Sequence, residues 1–230
     1  NEWDRFVRGQ TGWTAFHLFA WKPLIENVFR HECLYLEARD EGGTLQGVLP
    51  IVRVKSLLFG HYLVSMPFVN YGGPLGSVPA IRELVAYATG LATEQRVKLL
   101  ELRSRVALPI DLPVSHRKIT VVLDLPADVG SLLKQVGTKR RGQIKRPEKE
   151  GVTVRFGPDQ VDPFFEVFAR HMRDLGTPTQ PQSFFRAIAD AFGDDAWFAG
   201  AWYQGRPVAA GAGFRWGNEF EITWSSQLRS

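Results

Sequence analysis

Apolar positions along this chain alternate between a helical and a strand-like period, and the switches follow an ordered series. Segment 13–29 carries Phe16, Phe19, Ala20, Leu24 and Val28 near helical spacing, with Pro23 as a point of interruption. Segment 34–38 reads as a strand, 40–44 as a Gly-Gly turn and 45–54 as the hairpin partner. A further strand, 62–69, runs into Asn70-Tyr71-Gly72-Gly73-Pro74-Leu75-Gly76. Segment 79–95 is amphipathic, with Ile81, Leu84, Val85, Ala88, Leu91 and Ala92 on one stripe. Segments 97–103 and 118–125 read as two more strands, the first of them buried.

The second half follows a similar plan. Helices are predicted over 163–175 and 181–192, each with proline in its first turn, where a missing N–H is harmless. Gly176 and Gly193 stand where helix-ending glycines belong. Strands 196–203 and 207–216 flank the turn Gln204-Gly205, and 219–224 is a third strand. Both halves therefore read helix, strand, glycine turn, strand, strand, as a duplicated unit would. The first half continues into a Gly-rich loop, a helix and two strands, whereas the second reaches only its third strand by Ser230. A sheet left so would have an unpaired edge, and the natural protein is expected to be longer by roughly 60–110 residues.

Composition narrows the class. A chain of 230 residues, 44% hydrophobic and 23% charged, can bury one large core or two modest ones and is not disordered. A net charge of +4 fits a locally basic site better than a protein that coats DNA, and no DNA partner is expected. The single cysteine, Cys33, cannot form an internal disulfide, which suits a cytoplasmic location. Within Cys33-Leu34-Tyr35-Leu36 it reads as a packed hydrophobe. No apolar run approaches the ~18–20 residues of a membrane span, which leaves peripheral association as the expected mode of any membrane contact. His17, His31, His61, His116 and His171 show no metal-ligand spacing, so no metal site is expected.

The chemistry-bearing segments are few. Residues 139–149 hold six cations: Lys139, Arg140, Arg141, Lys145, Arg146 and Lys149. Basic residues crowd the first turns and acidic ones follow, the reverse of what a helix dipole favours. Two readings stand, a solvated helix face and a grip on a phosphate-rich ligand. Tyr71, Gly72 and Gly73 lie between a strand and a helix, either as a tight turn or as part of an acceptor-side cleft. Glu219 and Glu221 alternate with Phe220 and Ile222 and so share one face of a strand. If that face is a cleft, one of them serves as a general base; if it meets solvent, neither matters. Trp224 at the same strand's end either packs or lines a donor site.

The order of elements, the 70–76 loop ahead of a helix, and Ile144-Lys145-Arg146-Pro147 leading into Gly151-Val152-Thr153-Val154 resemble the FemABX-like transferases. Ser65-Met66-Pro67-Phe68-Val69-Asn70-Tyr71-Gly72-Gly73 and Met172-Arg173-Asp174-Leu175-Gly176-Thr177-Pro178 look more particularly like the FemAB-related proteins of exosortase (PEP-CTERM) systems. So does Leu57-Leu58-Phe59-Gly60. The resemblance implies an α/β (α+β) fold of tandem GNAT-like domains, mixed sheets flanked by helices, at 1–126 and 127–230 with the second incomplete. It also implies transfer of an acyl or aminoacyl group from acyl-CoA or aminoacyl-tRNA to an amine of an envelope or exopolysaccharide precursor, with no tightly bound cofactor. Lys139, Arg140, Arg141, Lys145 and Arg146 would meet the phosphorylated donor. Cell-wall members grip their nucleotide-sugar acceptor with a lysine and an arginine, at positions that hold Ile25 and Gln180 here, so a different acceptor is expected. The alternative is a protein that binds RNA or phosphate, or acts as a scaffold in polysaccharide assembly, without catalysis.

Overall fold

A computed structural model describes residues 1–56, 60–116 and 118–228. Helix α1 spans Glu2–Arg8, with the Asn1 carboxamide accepting the Asp4 N–H at 2.7 Å. Its acids lie in the first turn and its arginines in the last, the order the dipole prefers. The single helix predicted over 13–29 is two elements, because Thr14 and Pro23 each favour a fresh start. Thr14 caps a short 3-10 turn, Ala15–His17, and α2 runs Trp21–Phe29 with Pro23 harmless in its first turn.

Strands β1 (Glu32–Arg39) and β2 (Leu45–Ser56) form an antiparallel hairpin, with β3 (Gly60–Val64) beside β2. Asp40 builds the hairpin turn by accepting the N–H groups of Gly42 and Thr44. The short β4 (Leu75–Gly76) pairs with β2 and leads into α3 (Val78–Glu94). Helix α3 lays Ala80, Leu84, Ala88 and Ala92 on Ala38, Leu49, Ile51 and Leu63. It lies so close that a β-carbon on Gly47 would sit 2.8 Å from that of Ala80. Strand β5 (Leu99–Glu101) then pairs parallel to β3 and completes the order β1-β2-β3-β5. Segment 118–125, predicted as a strand, joins neither sheet among the described residues, and Ile119 is 89% exposed.

Helices α4 (Val129–Gln135) and α5 (Gly137–Lys149) contain no buried residue. Strand β6 (Thr153–Phe156) opens a second sheet. Helices α6 (Val161–Asp174) and α7 (Gln182–Phe192) cover one face of β7 (Ala196–Tyr203), β8 (Arg206–Trp216) and β9 (Glu219–Gln227). The sheet order is β6-β7-β8-β9, all antiparallel. The two sheets share one aromatic core. Phe16 meets Phe214 edge-on at 5.3 Å, and Trp21, fully buried, touches Phe184, Phe192 and Phe214 while donating Nε1–H to the Ala15 carbonyl. Such rings bury large areas and fix one unit against the other.

Candidate functional site

The register of β9 decides which way its carboxylates point. Glu219 pairs with Trp216 and Glu221 with Phe214, so both carboxylates share the face on which those aromatics are buried. Ala212 then pairs with Trp224 and Gly213 with Ile222, leaving Thr223 as the extra residue of a β-bulge. Gly213 is required there, since a β-carbon would lie 2.0 Å from the Glu221 carbonyl oxygen. The predicted alternation is therefore correct, and its inner side faces the first unit.

That first unit supplies the partners. Asn70 donates Nδ2–H to Glu221 Oε1 at 2.7 Å, and the Thr223 hydroxyl approaches the same oxygen at 3.3 Å. Arg105 pairs with Glu219 at 2.7 Å and lies over the Tyr71 ring at 5.6 Å from its centre. The Tyr71 hydroxyl bonds to Thr120, which brings the unpaired 118–125 segment to the same place. Burial raises the proton affinity of Glu221, an effect opposed by the bonds from Asn70 and Thr223 and by the Arg105 charge.

The loop behind Asn70 has its own supports. Its glycines serve close approach as well as turning: a β-carbon on Gly72 would lie 2.3 Å from Met66 Cγ, and Gly72 has φ +150. His17 Nδ1 accepts the Thr14 N–H, so the ring proton sits on Nε2 and is donated to the Gly73 carbonyl at 3.1 Å. Burial lowers the His17 pKa to about 4 and keeps the ring neutral.

The other predicted residues lie apart from this cluster. Trp224 packs among Phe184, Phe185 and Phe214, a core position behind the site. Lys139, Arg140, Arg141, Lys145 and Arg146 all lie on α5, away from the core. Arg141, Lys145, Arg146 and Lys149 line one helix face with Thr138 and Gly142 around a shallow hollow of about 430 Å³, to which no other described residue contributes a wall. Ile25 is fully buried. Cys33 is also buried, which pushes its thiol pKa up to about 12 and leaves it protonated. Among the described residues no cluster of metal-ligating side chains occurs, and no helix is long and apolar enough to cross a membrane. Another hollow, about 460 Å³, is bordered by Val154, His171 and residues of β7, β8 and the end of β9, and it does not include Glu221.

Residues 134–227 match the family model of the acetyltransferase (GNAT) domain. The fold is FemX-like. The crystal structure of FemX aligns with a TM-score of 0.58 at 16% identity, covering 87% of this chain and 55% of that one. The chain thus spans about half the length of the FemX structure. A second solved structure, the C-terminal domain of a protein assigned as a lysylphosphatidylglycerol synthetase from Agrobacterium fabrum, aligns at 12% identity with a TM-score of 0.49. That alignment covers 97% of this chain and 66% of that one. No curated protein matches the chain. A mixed first sheet and a second sheet that is antiparallel among the described strands, where the resemblance implies mixed sheets in both halves, are flanked by helices and, with a GNAT-type domain in the second half, make this a tandem GNAT-like architecture.

Proposed function

We propose that the chain carries the acceptor side of an N-acyl- or aminoacyltransferase, with Glu221 as the general base. The observation that supports this most is a half-buried carboxylate of raised proton affinity on a GNAT-type unit, held from the neighbouring unit by Asn70. An acceptor arrives as an ammonium ion and cannot attack until it loses a proton. Glu221 takes that proton; the amine nitrogen then adds to the carbonyl carbon of the thioester or ester. Collapse of the tetrahedral intermediate forms the amide and expels the carrier's thiol or hydroxyl, which leaves with a proton. A carboxylate of raised pKa is better matched to this exchange than an ordinary one.

In this reading the donor is a phosphorylated carrier, acyl-CoA or aminoacyl-tRNA, met by the cations of α5. The acceptor is an amine of an envelope or exopolysaccharide precursor, consistent with the resemblance to exosortase-system proteins. The reaction is cytoplasmic, within tandem domains that meet near residue 126. Mass spectrometry of amine-bearing glycans incubated with each donor class tests it. Transfer is expected, and Glu221→Gln should lower kcat/KM about 10²–10⁴-fold. Unchanged turnover in that variant would remove Glu221 from the mechanism. A second reading, an RNA- or phosphate-binding protein without chemistry, is favoured by one observation: α5 stands outside the core with its cationic face open. Donor binding without product in the same assay would select it.

A further inference from the structure

We propose that Arg103 is the positioning residue of this site, fixing the 65–73 loop so that Asn70 reaches Glu221. The loop is anchored at its side chains, with Met66 in the core and Phe68 stacked on Phe29 at 4.0 Å, but its backbone has few partners of its own. Met66 and Val69 are buried, yet residues 65–70 belong to no strand or helix, and Met66 adopts φ +54, which a non-glycine residue resists. Three carbonyls of this loop converge on one guanidinium nitrogen: Arg103 Nη1 lies 3.3, 2.9 and 2.8 Å from the oxygens of Met66, Pro67 and Val69. The backbone of Arg103 closes the loop's other end. Its carbonyl accepts the N–H groups of Gly72 and Gly73, and its own N–H is donated to the Ser65 hydroxyl at 2.7 Å.

Glu101 holds the guanidinium in place from the opposite side, through Nε at 2.7 Å. A planar fork can serve a carboxylate at one end and carbonyls at the other, whereas a lysine ammonium cannot span both. Without the fork, the carbonyls of Met66, Pro67 and Val69 lose their shared donor, and the left-handed turn at Met66 keeps only its side-chain packing and the Val69 N–H bond. Asn70 follows directly on this turn. The groups facing Glu221 are Asn70, Thr223, Arg105 and Glu219, so Arg103 acts on it only through the loop.

The test follows the Glu221 carboxylate by carbon-13 NMR titration of the full chain, a readout independent of whether transfer occurs. Asn70→Ala removes a bond that lowers the Glu221 midpoint and should move it upward. Arg103→Met is expected to move it in the same direction by at least half as much, and to add nothing in an Asn70→Ala background. Arg103→Lys, which retains the charge, should reproduce most of the Arg103→Met shift and is the variant to read if Arg103→Met does not fold. A Glu221 midpoint unmoved by either Arg103 variant overturns the proposal. So does a shift that persists undiminished without Asn70, which would be a plain charge effect. Failure of the transferase reading leaves this titration unaffected, so the two outcomes can be told apart.

Discussion

The two sheets are built from the same hairpin plan but differ in how they are covered. In the first, Leu36 pairs with Leu49 and Leu34 with Ile51, and the face they share is sealed by α3. In the second, the corresponding hairpin pairs are Ala199 with Gly211 and Trp197 with Gly213, and among the described residues no helix lies on them. Ile222 on that face is 66% exposed, with Phe156 and Phe220 also open. The edges differ as well: β3 gains β5 as a parallel partner, while β9 has no further neighbour among the described strands. One scaffold can therefore be finished on both faces in one copy and be left smooth on one face in the other. The smooth copy is the one that carries the carboxylate.

The largest effect that tests this contrast is in the covered sheet. Leu49→Ala should cost about 2–5 kcal/mol of unfolding free energy, whereas Ile222→Ala should stay within about 0.5 kcal/mol, both measured by denaturant titration. Equal losses would mean that the second face is covered in solution. A comparable effect comes from His17. Its folded pKa, about 4, lies below the unfolded value near 6.5, so the unfolded chain binds the proton first. Its contribution is fully present above pH 6.5 and is lost as pH falls towards 4, amounting to about 3 kcal/mol. Comparing acid unfolding of His17→Gln with the parent should show this slope flattened. The smallest effect sharpens the contrast within one strand. Gly213→Ala should cost about 1–3 kcal/mol because its β-carbon meets the Glu221 carbonyl at 2.0 Å. Gly211→Ala, whose β-carbon meets only the Trp224 carbonyl at 3.5 Å, should be neutral or slightly stabilising. If thermal melts rank the two glycines in the opposite order, the bulge is not the constraint.

Much of this was legible in the residues. Amphipathic stripes predicted α3, α6 and α7 to within a few residues, and the alternation of Glu219 and Glu221 with Phe220 and Ile222 placed both carboxylates on one face. Local features depart from the pattern, among them the strand expected over 62–69, which ends at Val64. Helix α1 was missed, although Asn1 and the acids that follow it are an N-cap pattern. The helix expected over 13–29 runs through Thr14, whose capping role breaks it. Segment 118–125 has strand composition, but pairing is a tertiary matter and composition cannot supply a partner. The 57–59 part of the exosortase-like motif lies outside the described residues. Asn70 and Arg105 are not legible in the sequence because their partners Glu221 and Glu219 belong to the second unit, and Arg103 and His17 are not because theirs lie on a loop distant in sequence. Arg103 and Arg105, alternating just after a buried strand, were the only local hint.

Thr223 works as a piece of gearing. A regular strand would send Trp224 to the side opposite Glu221; one surplus residue returns both to the same interior. Half of β9 thus meets the Asn70 loop and half the aromatic interior, two tasks divided within one strand by a single surplus residue.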